Sequence, residues 1–160
     1  MMYRHMSDST YLDLAYHYAE RMSGCKKVAV GSIIKSPGGI ISLGANRSIP
    51  DLCIGRGCLR VEKYGDDSKL HRNPEDCRAI HSEIDAITSA AQNGISTEGT
   101  TIYVTRYPCE ACARAIISAG IRSVIYGGTA KISDETQRMF DMYSVLCTHV
   151  LNWKEDNSDR

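Results

Sequence analysis

Four residues near the middle of the chain have the types and the spacing to hold a metal ion and move a proton. Cys109 and Cys112 lie three apart in the stretch YPCEACARAI, and His81 and Glu83 lie two apart in CRAIHSEIDAI. Residues three apart share one face of a helix, so both thiolates can reach the same ion. Residues two apart point to different sides. The pattern therefore predicts zinc held by His81, Cys109 and Cys112, with one position open and Glu83 beside it.

Such a site would perform hydrolysis. Zinc with three protein ligands lowers the pKa of bound water from about 15.7 to about 7. Glu83 could take the proton of this water and deliver it to the substrate as a general acid and base. The helix N-terminus predicted at the cysteine pair would favour thiolates over thiols.

Other interpretations of the cysteine pair remain open. A C-x-x-C pair can be a disulfide, a redox motif that follows a strand in a βαβ unit, or part of a zinc-stabilised module without catalysis. Seven cysteines is an odd number, and the N-terminal stretch MMYRHMSDST has no signal-peptide core, which favours reduced thiols in a cytoplasm. Because H-x-E and P-C-x-x-C begin two successive predicted helices, the combination favours catalytic zinc.

The hydrophobic pattern predicts the elements that position these motifs. Helices are expected at 8–22, 79–93, 109–119 and 133–146, and strands at 28–36, 40–46, 100–106, 122–128 and 148–153. The first two strands flank a Pro-Gly-Gly turn and form a hairpin. The alternation that follows predicts an α/β fold, a three-layer α/β/α sandwich with a five-stranded mixed sheet.

Composition indicates an ordinary globular chain. Of 160 residues, 42% are apolar and 24% are charged, which fits one domain at 1–153 with a loop insertion at about 48–78 and a polar tail at 154–160. The 19 basic and 19 acidic residues balance, so a nucleic-acid partner is not favoured. No apolar run of about 18 residues is present, so no membrane span is expected.

At these motifs the chain resembles the zinc-dependent cytidine and deoxycytidylate deaminase superfamily, closest to its deoxycytidylate (dCMP) deaminase branch. The resemblance covers about residues 8–150 and is carried by VAVGSIIKSPGGIISLGANRSIP, CRAIHSEIDAI and TTIYVTRYPCEACARAIISAGIRSVIYGG. It implies the cytidine deaminase-like fold and hydrolytic deamination of dCMP to dUMP and ammonia by a zinc-bound hydroxide. It further implies dUMP supply for thymidylate synthesis, a homo-oligomer with a hexamer favoured, and the cytoplasm of a bacterium or of a viral host cell.

The resemblance also implies roles for individual residues. Zinc ligands would be His81, Cys109 and Cys112, and Glu83 would transfer protons. The substrate contacts it implies are Asn46, Lys27, Arg47, Arg106 and Pro108. Ser82 stands where the family usually has alanine, and the stretch GGTAK at 127–131 lacks an aromatic residue that this branch tends to carry.

The 48–78 loop resembles, in position, an insertion that takes part in activation by dCTP and inhibition by dTTP. Arg56 and Arg60 are the expected contacts for a Mg-dCTP effector. A second zinc site is a further hypothesis, with ligands drawn from Cys53, Cys58, Cys77 and His71. Alternative functions are deamination of another cytosine nucleoside or nucleotide, deamination of adenosine in transfer RNA, and a zinc-stabilised module that is not an enzyme.

Overall fold

A five-stranded mixed sheet forms the centre of the protein. The computed structural model describes residues 6–25, 28–48, 57–65, 77–129 and 133–153. Its strands are β1 Gly31–Ser36, β2 Gly39–Ala45, β5 Thr101–Val104, β6 Ser123–Tyr126 and β7 Leu146–His149, in the spatial order β2-β1-β5-β6-β7. The first three spatial neighbours pair antiparallel, while β5, β6 and β7 run parallel. The predicted mixed sheet is confirmed.

Helices cover both faces of this sheet. They are α1 Asp8–Met22, α2 Leu59–Tyr64, α3 Ser82–Gln92, α4 Glu110–Ser118 and α5 Asp134–Met142. Along β1, Ile33 packs with α1 on one face, whereas Ile34 packs with α3 and α4 on the other, because successive strand residues face opposite sides. The fold is therefore the predicted α/β/α sandwich. No helix in the described ranges is long and apolar enough to cross a membrane.

The elements that carry the chemistry meet at one edge of the sheet. Because β1 is antiparallel to β5, the amino end of β1 lies beside the carboxyl end of β5, where the amide of Thr105 donates to the carbonyl oxygen of Gly31 at 3.0 Å. The end of β2 joins this edge, since the amide of Asn46 donates to the carbonyl oxygen of Val30 at 3.0 Å. This edge therefore gathers the segments around residues 30, 46 and 105.

A short second sheet replaces the predicted start of the helix at 79. Strand β3 Arg47–Ser48 pairs antiparallel with β4 Ala79–Ile80, so the prediction of a helix over these two residues is wrong. This pairing ends at Ile80, and His81 becomes the N-cap of α3 in an extended conformation. The short ladder thus fixes the residue at which the helix begins.

Three further elements differ from the sequence prediction. The helix from 133 ends at Met142 and not near 146, because Ser144 adopts a left-handed φ of 55° and the chain then enters β7. The last strand is Leu146–His149 and not 148–153, since the chain turns at Leu151–Asn152 and buries Trp153 against α1. The 48–78 segment contains α2, which was predicted as loop. The predicted tail at 154–160 lies outside the described residues.

Gly44 allows α3 to start directly on the sheet. A methyl group at Gly44 would overlap the carbonyl oxygen of Ser82 and the amide nitrogen of Ala86. Both are backbone atoms that cannot rotate away, so Gly44→Ala must displace the beginning of α3. We expect it to reduce the free energy of unfolding by about 3 kcal/mol and to lower Tm by about 6–12 °C in calorimetry.

Gly38→Ala is the matched control in the same hairpin. The nearest atom to an added methyl group at Gly38 is Ser36 Oγ at 3.7 Å, an ordinary contact distance. A similar Tm for the two variants would contradict the close approach of α3 to β2.

Candidate metal and active site

Three potential zinc ligands converge at the sheet edge where α3 and α4 begin. His81 is the N-cap of α3, Cys109 is the N-cap of α4, and Cys112 lies in the first turn of α4. The Nδ1 atom of His81 lies 3.5 Å from Cys109 Sγ and 3.4 Å from Cys112 Sγ. The three donor atoms all lie within 4.8 Å of one another.

These distances fit a tetrahedral zinc ion. With Zn–N near 2.05 Å and Zn–S near 2.3 Å, tetrahedral angles place a nitrogen and a sulfur ligand about 3.6 Å apart. The two measured nitrogen–sulfur distances are close to this value. Histidine with two cysteines is also a ligand set that catalytic zinc uses. The donor geometry therefore fits zinc, and neither cysteine forms a disulfide.

Hydrogen bonds among the three donor side chains shift their pKa values. Hydrogen bonds from Cys112 and from His81 lower the pKa of Cys109 to about 4, against the opposing effect of burial. Hydrogen bonds with Cys109 and Cys77 raise the pKa of His81 to about 10. The hydrogen bond to Cys109, together with burial, raises the pKa of Cys112 far above that of an ordinary thiol. At neutral pH the set therefore consists of a thiolate, an imidazolium and a thiol.

This proton distribution predicts the pH dependence of zinc binding. Zinc needs neutral imidazole and two thiolates. At pH 7, one proton must leave His81 and one must leave Cys112, while Cys109 has already lost its proton. We expect about two protons released per zinc ion at pH 7, and an affinity that rises with pH, more steeply below pH 10 than above it, where only Cys112 still has a proton to lose.

Calorimetric titration of zinc in buffers of different ionisation enthalpy measures this release. Glu83→Gln serves as the control, because it keeps all three donors and should release the same number. Release of no protons would contradict the thiolate–imidazolium arrangement.

Glu83 lies beside the donor set and is itself buried. Only 4% of its surface is exposed. Burial raises the pKa of its carboxyl group, and hydrogen bonding to Glu83 contributes to the raised pKa of Cys112. The carboxyl group therefore contacts the donor set directly, and the raised pKa moves it toward the neutral range that suits a group exchanging protons at pH 7.

Asn46 holds the edge of the site together. Its Oδ1 accepts from the amide of Val30 at 2.8 Å and from Ser23 Oγ at 2.6 Å, while its Nδ2 donates to the carbonyl oxygen of Val28 at 2.8 Å. The side chain thereby joins the end of β2 to the segment before β1. Pro108, also a predicted substrate contact, is buried directly before Cys109. Their contact with substrate stays a prediction.

The predicted phosphate contacts have different surroundings. Arg47 donates through Nε and Nη2 to Oδ1 of the buried Asp85, which also accepts from the amide of Ala45 at 3.0 Å. The hydrogen bond to Asp85 raises the pKa of Arg47, whose side chain remains 48% exposed. Arg106 is half-buried after β5. Lys27 and Arg56 lie outside the described residues, as do Cys53 and His71.

Three further residues lie around the donor set, where the sequence analysis did not place them. Cys77, a candidate ligand of the predicted second zinc site, hydrogen-bonds to His81. Ser32 and Ser82 form a buried hydroxyl pair next to Glu83. No spacing rule would have found Ser32, because it lies on β1, 50 residues from Ser82.

The chain matches a known protein family. Residues 5–128 match the family described as the cytidine and deoxycytidylate deaminase zinc-binding region. With the α/β/α fold and the histidine–cysteine–cysteine cluster, this match defines a zinc-dependent hydrolase.

Two relatives are similar to most of the chain. The chain is 31% identical to ComE operon protein 2 of Bacillus subtilis over 147 residues, 91% of this chain and 72% of that protein. It is 33% identical to deoxycytidylate deaminase of Enterobacteria phage T4, over 76% of this chain and 77% of that protein. The chain belongs to the cytidine and deoxycytidylate deaminase family.

A solved structure supports the fold. The dCMP deaminase from cyanophage S-TIM5, in complex with dCMP and dUMP, superposes with a TM-score of 0.71 at 24% identity. The match covers 91% of this chain and all of that one. At this identity the likeness confirms the cytidine deaminase-like fold.

Proposed function

We propose that this protein catalyses the hydrolytic deamination of dCMP to dUMP and ammonia. The observation that carries the proposal is the geometry at the sheet edge, where one imidazole and two sulfur atoms converge beside the buried carboxyl group of Glu83. The substrate is supported by a relative, the phage T4 deoxycytidylate deaminase.

In this proposal, His81, Cys109 and Cys112 hold the zinc ion. When bound, zinc supplies a Lewis acid that lowers the pKa of water from about 15.7 to about 7. The helix N-termini at His81 and Cys109 place positive partial charge at the donors, which favours the thiolates. These residues would therefore hold the ion beside Glu83, and the attack of water on C4 of the cytosine ring would take place there.

Glu83 moves the protons of the reaction. Its carboxylate accepts one proton from the attacking water and donates it to N3 of the ring. It then accepts the second proton of that water, from the oxygen now bonded to C4, and donates it to the departing amino group. Water adds one oxygen and two hydrogens, and ammonia leaves, so dCMP and water give dUMP and ammonia. Burial of Glu83 supports this role, because a carboxyl group with a raised pKa holds a proton more readily between the steps.

Recognition of the monophosphate is assigned to basic groups near the edge, with Asn46 and Pro108 lining the nucleoside part of the pocket. Arg106 lies three residues before Cys109, and Arg47 lies directly after Asn46. Lys27 completes the proposed set. Each charge-assisted hydrogen bond to phosphate contributes roughly 1.5–3 kcal/mol. We therefore expect kcat/KM for deoxycytidine to be about 10- to 100-fold lower than for dCMP.

A panel of dCMP, dCTP, CMP, cytidine and deoxycytidine, followed by ammonia release, tests the substrate. Highest kcat/KM with dCMP supports the proposal. Preference for a nucleoside or a triphosphate would overturn the substrate and leave the deaminase chemistry standing. If none of them releases ammonia, and transfer RNA adenosine is not converted to inosine, the result would favour a zinc-stabilised module that is not an enzyme.

We also propose that dCTP and dTTP regulate the enzyme. Arg60 lies in α2 within the 48–78 segment, and its buried Nε has no hydrogen-bond partner among the residues that the structure describes. An unpaired buried donor supports a role for Arg60, together with Arg56, in binding an anionic Mg-dCTP effector. If the kinetics of dCMP deamination do not change when dCTP or dTTP is added, the proposed regulation is wrong.

The family resemblance also supports a proposal for the metabolic role and the assembly of the enzyme. We infer that the dUMP formed supplies thymidylate synthesis and that the enzyme acts as a cytoplasmic homo-oligomer, a hexamer by family resemblance. Relatives in Bacillus subtilis and in phage T4 support a bacterial or viral setting. A second zinc site near Cys58 and Cys77 stays a prediction, which metal analysis with two zinc ions per chain would support.

A further inference from the structure

Two buried hydroxyl groups connect the central sheet to the carboxyl group of Glu83. Ser32 lies in β1 and Ser82 is the first residue of α3, and neither side chain is exposed to solvent. Their Oγ atoms are 2.7 Å apart, and Ser82 Oγ lies 3.2 Å from Glu83 Oε2. Burial makes these contacts strong, because no water competes for the groups.

The number of protons gives the contacts a direction. Each serine hydroxyl has one proton to donate. Since Ser82 donates its proton to Glu83 Oε2, it can only accept in its contact with Ser32. Ser32 therefore donates to Ser82, and both hydroxyl groups point toward the carboxylate. Aligned hydroxyls of this kind polarise one another and strengthen the last bond of the chain.

The sheet holds this arrangement in place. Ser32 pairs with Gly44 across the β1–β2 ladder, on the face where α3 begins, and the carbonyl oxygen of Ser82 lies directly over Gly44. The start of α3 therefore has little freedom to shift relative to β1.

We propose that Ser32 and Ser82 are positioning residues that fix the carboxylate plane of Glu83 for proton transfer. The contact occupies Oε2 and thereby restricts rotation of the carboxylate about its last bond. Orientation of this kind acts on the chemical step more than on substrate binding. This inference rests on the proposed deaminase function for its kinetic test, and on the structure alone for its spectroscopic test.

The kinetic test compares Ser82→Ala, Ser32→Ala and the double variant with dCMP as substrate. We expect each single variant to lower kcat about tenfold with KM unchanged within about twofold. The double variant should lose no more than the worse single one, because both substitutions break the same chain of contacts. Full additivity, or unchanged kcat in Ser82→Ala, would overturn the proposal.

Ser42→Ala is the matched control. It also removes a buried hydroxyl group, but the Oγ of Ser42 donates to the carbonyl oxygen of Ala86 at 2.6 Å and not to Glu83. We expect a lower Tm with kcat unchanged. If Ser42→Ala lowers kcat as much as Ser82→Ala does, the effect is one of general stability and the proposal fails.

A second readout needs no substrate. In protein labelled with ¹³C at the glutamate carboxyl carbon, Glu83→Gln identifies the Glu83 resonance by its disappearance. We expect that resonance to shift in Ser82→Ala and in Ser32→Ala, but not in Ser42→Ala. An unmoved resonance overturns the positioning role whatever the substrate is, whereas a shifted resonance with no ammonia from dCMP overturns only the proposed function.

Discussion

Glu83→Gln is expected to lower kcat for dCMP deamination by about 10²- to 10⁴-fold, which is the usual contribution of a general acid and base. The amide has the size of the carboxyl group but cannot accept a proton from water. Because Glu83 is not one of the three donors, zinc content should stay at about one ion per chain. Ammonia release gives kcat, and atomic absorption gives the metal content.

Glu98→Gln is the control for this substitution. Its carboxylate is 68% exposed and lies 3.5 Å from Arg122. Glu98 belongs to the turn before β5, whereas the cysteines of the donor set follow the carboxyl end of that strand. We expect this variant to keep the kcat of the parent protein. If Glu83→Gln retained full activity, the proton-transfer role would be wrong, and catalysis would have to be assigned to another group.

Cys112→Ala is expected to remove both zinc and activity. Cys112 is buried in the first turn of α4, and its Sγ lies 3.4 Å from His81 Nδ1, so the substitution removes one of the three donors from the centre of the site. Changes that only disturb the orientation of a ligand reduce metal affinity by about 10- to 100-fold. Loss of the ligand itself should exceed this range, and kcat should fall to background.

Cys147→Ala separates loss of a ligand from loss of a buried thiol. Cys147 is half-buried in β7, where burial raises the pKa of its thiol to about 11. This variant should keep its zinc and its activity. Full zinc content in Cys112→Ala would exclude Cys112 as a ligand, whereas zinc loss in both variants would indicate that the fold has failed.

Much of the site could be predicted from the sequence because its residues come from two short motifs. Cys109 and Cys112 are related by one helical turn, and His81 and Glu83 are separated by a single residue. Within such short distances, helix geometry alone decides which side chains share a face. The alternating helices and strands are equally local in origin, and this is why the mixed sheet was predicted correctly.

Features that depend on contacts between distant segments were not predictable. The partners of Asn46 come from residues 23 to 30, and Ser32 meets Ser82 across the sheet and helix interface. The end of α5 was placed too late because Ser144 adopts a left-handed conformation, for which serine gives no sequence signal. Short strands β3 and β4 exist only because they pair with each other.

The two helices of the site begin without the serine caps that the chain uses elsewhere. Ser7 and Ser133 accept amide hydrogen bonds at the starts of α1 and α5, whereas His81 and Cys109 occupy the equivalent positions with no such bond. An N-cap serine or aspartate typically stabilises a helix by about 1 kcal/mol relative to a non-capping residue. Thermostability engineering by consensus capping would therefore select substitutions at these two positions, and each gain would come at the expense of metal ligation.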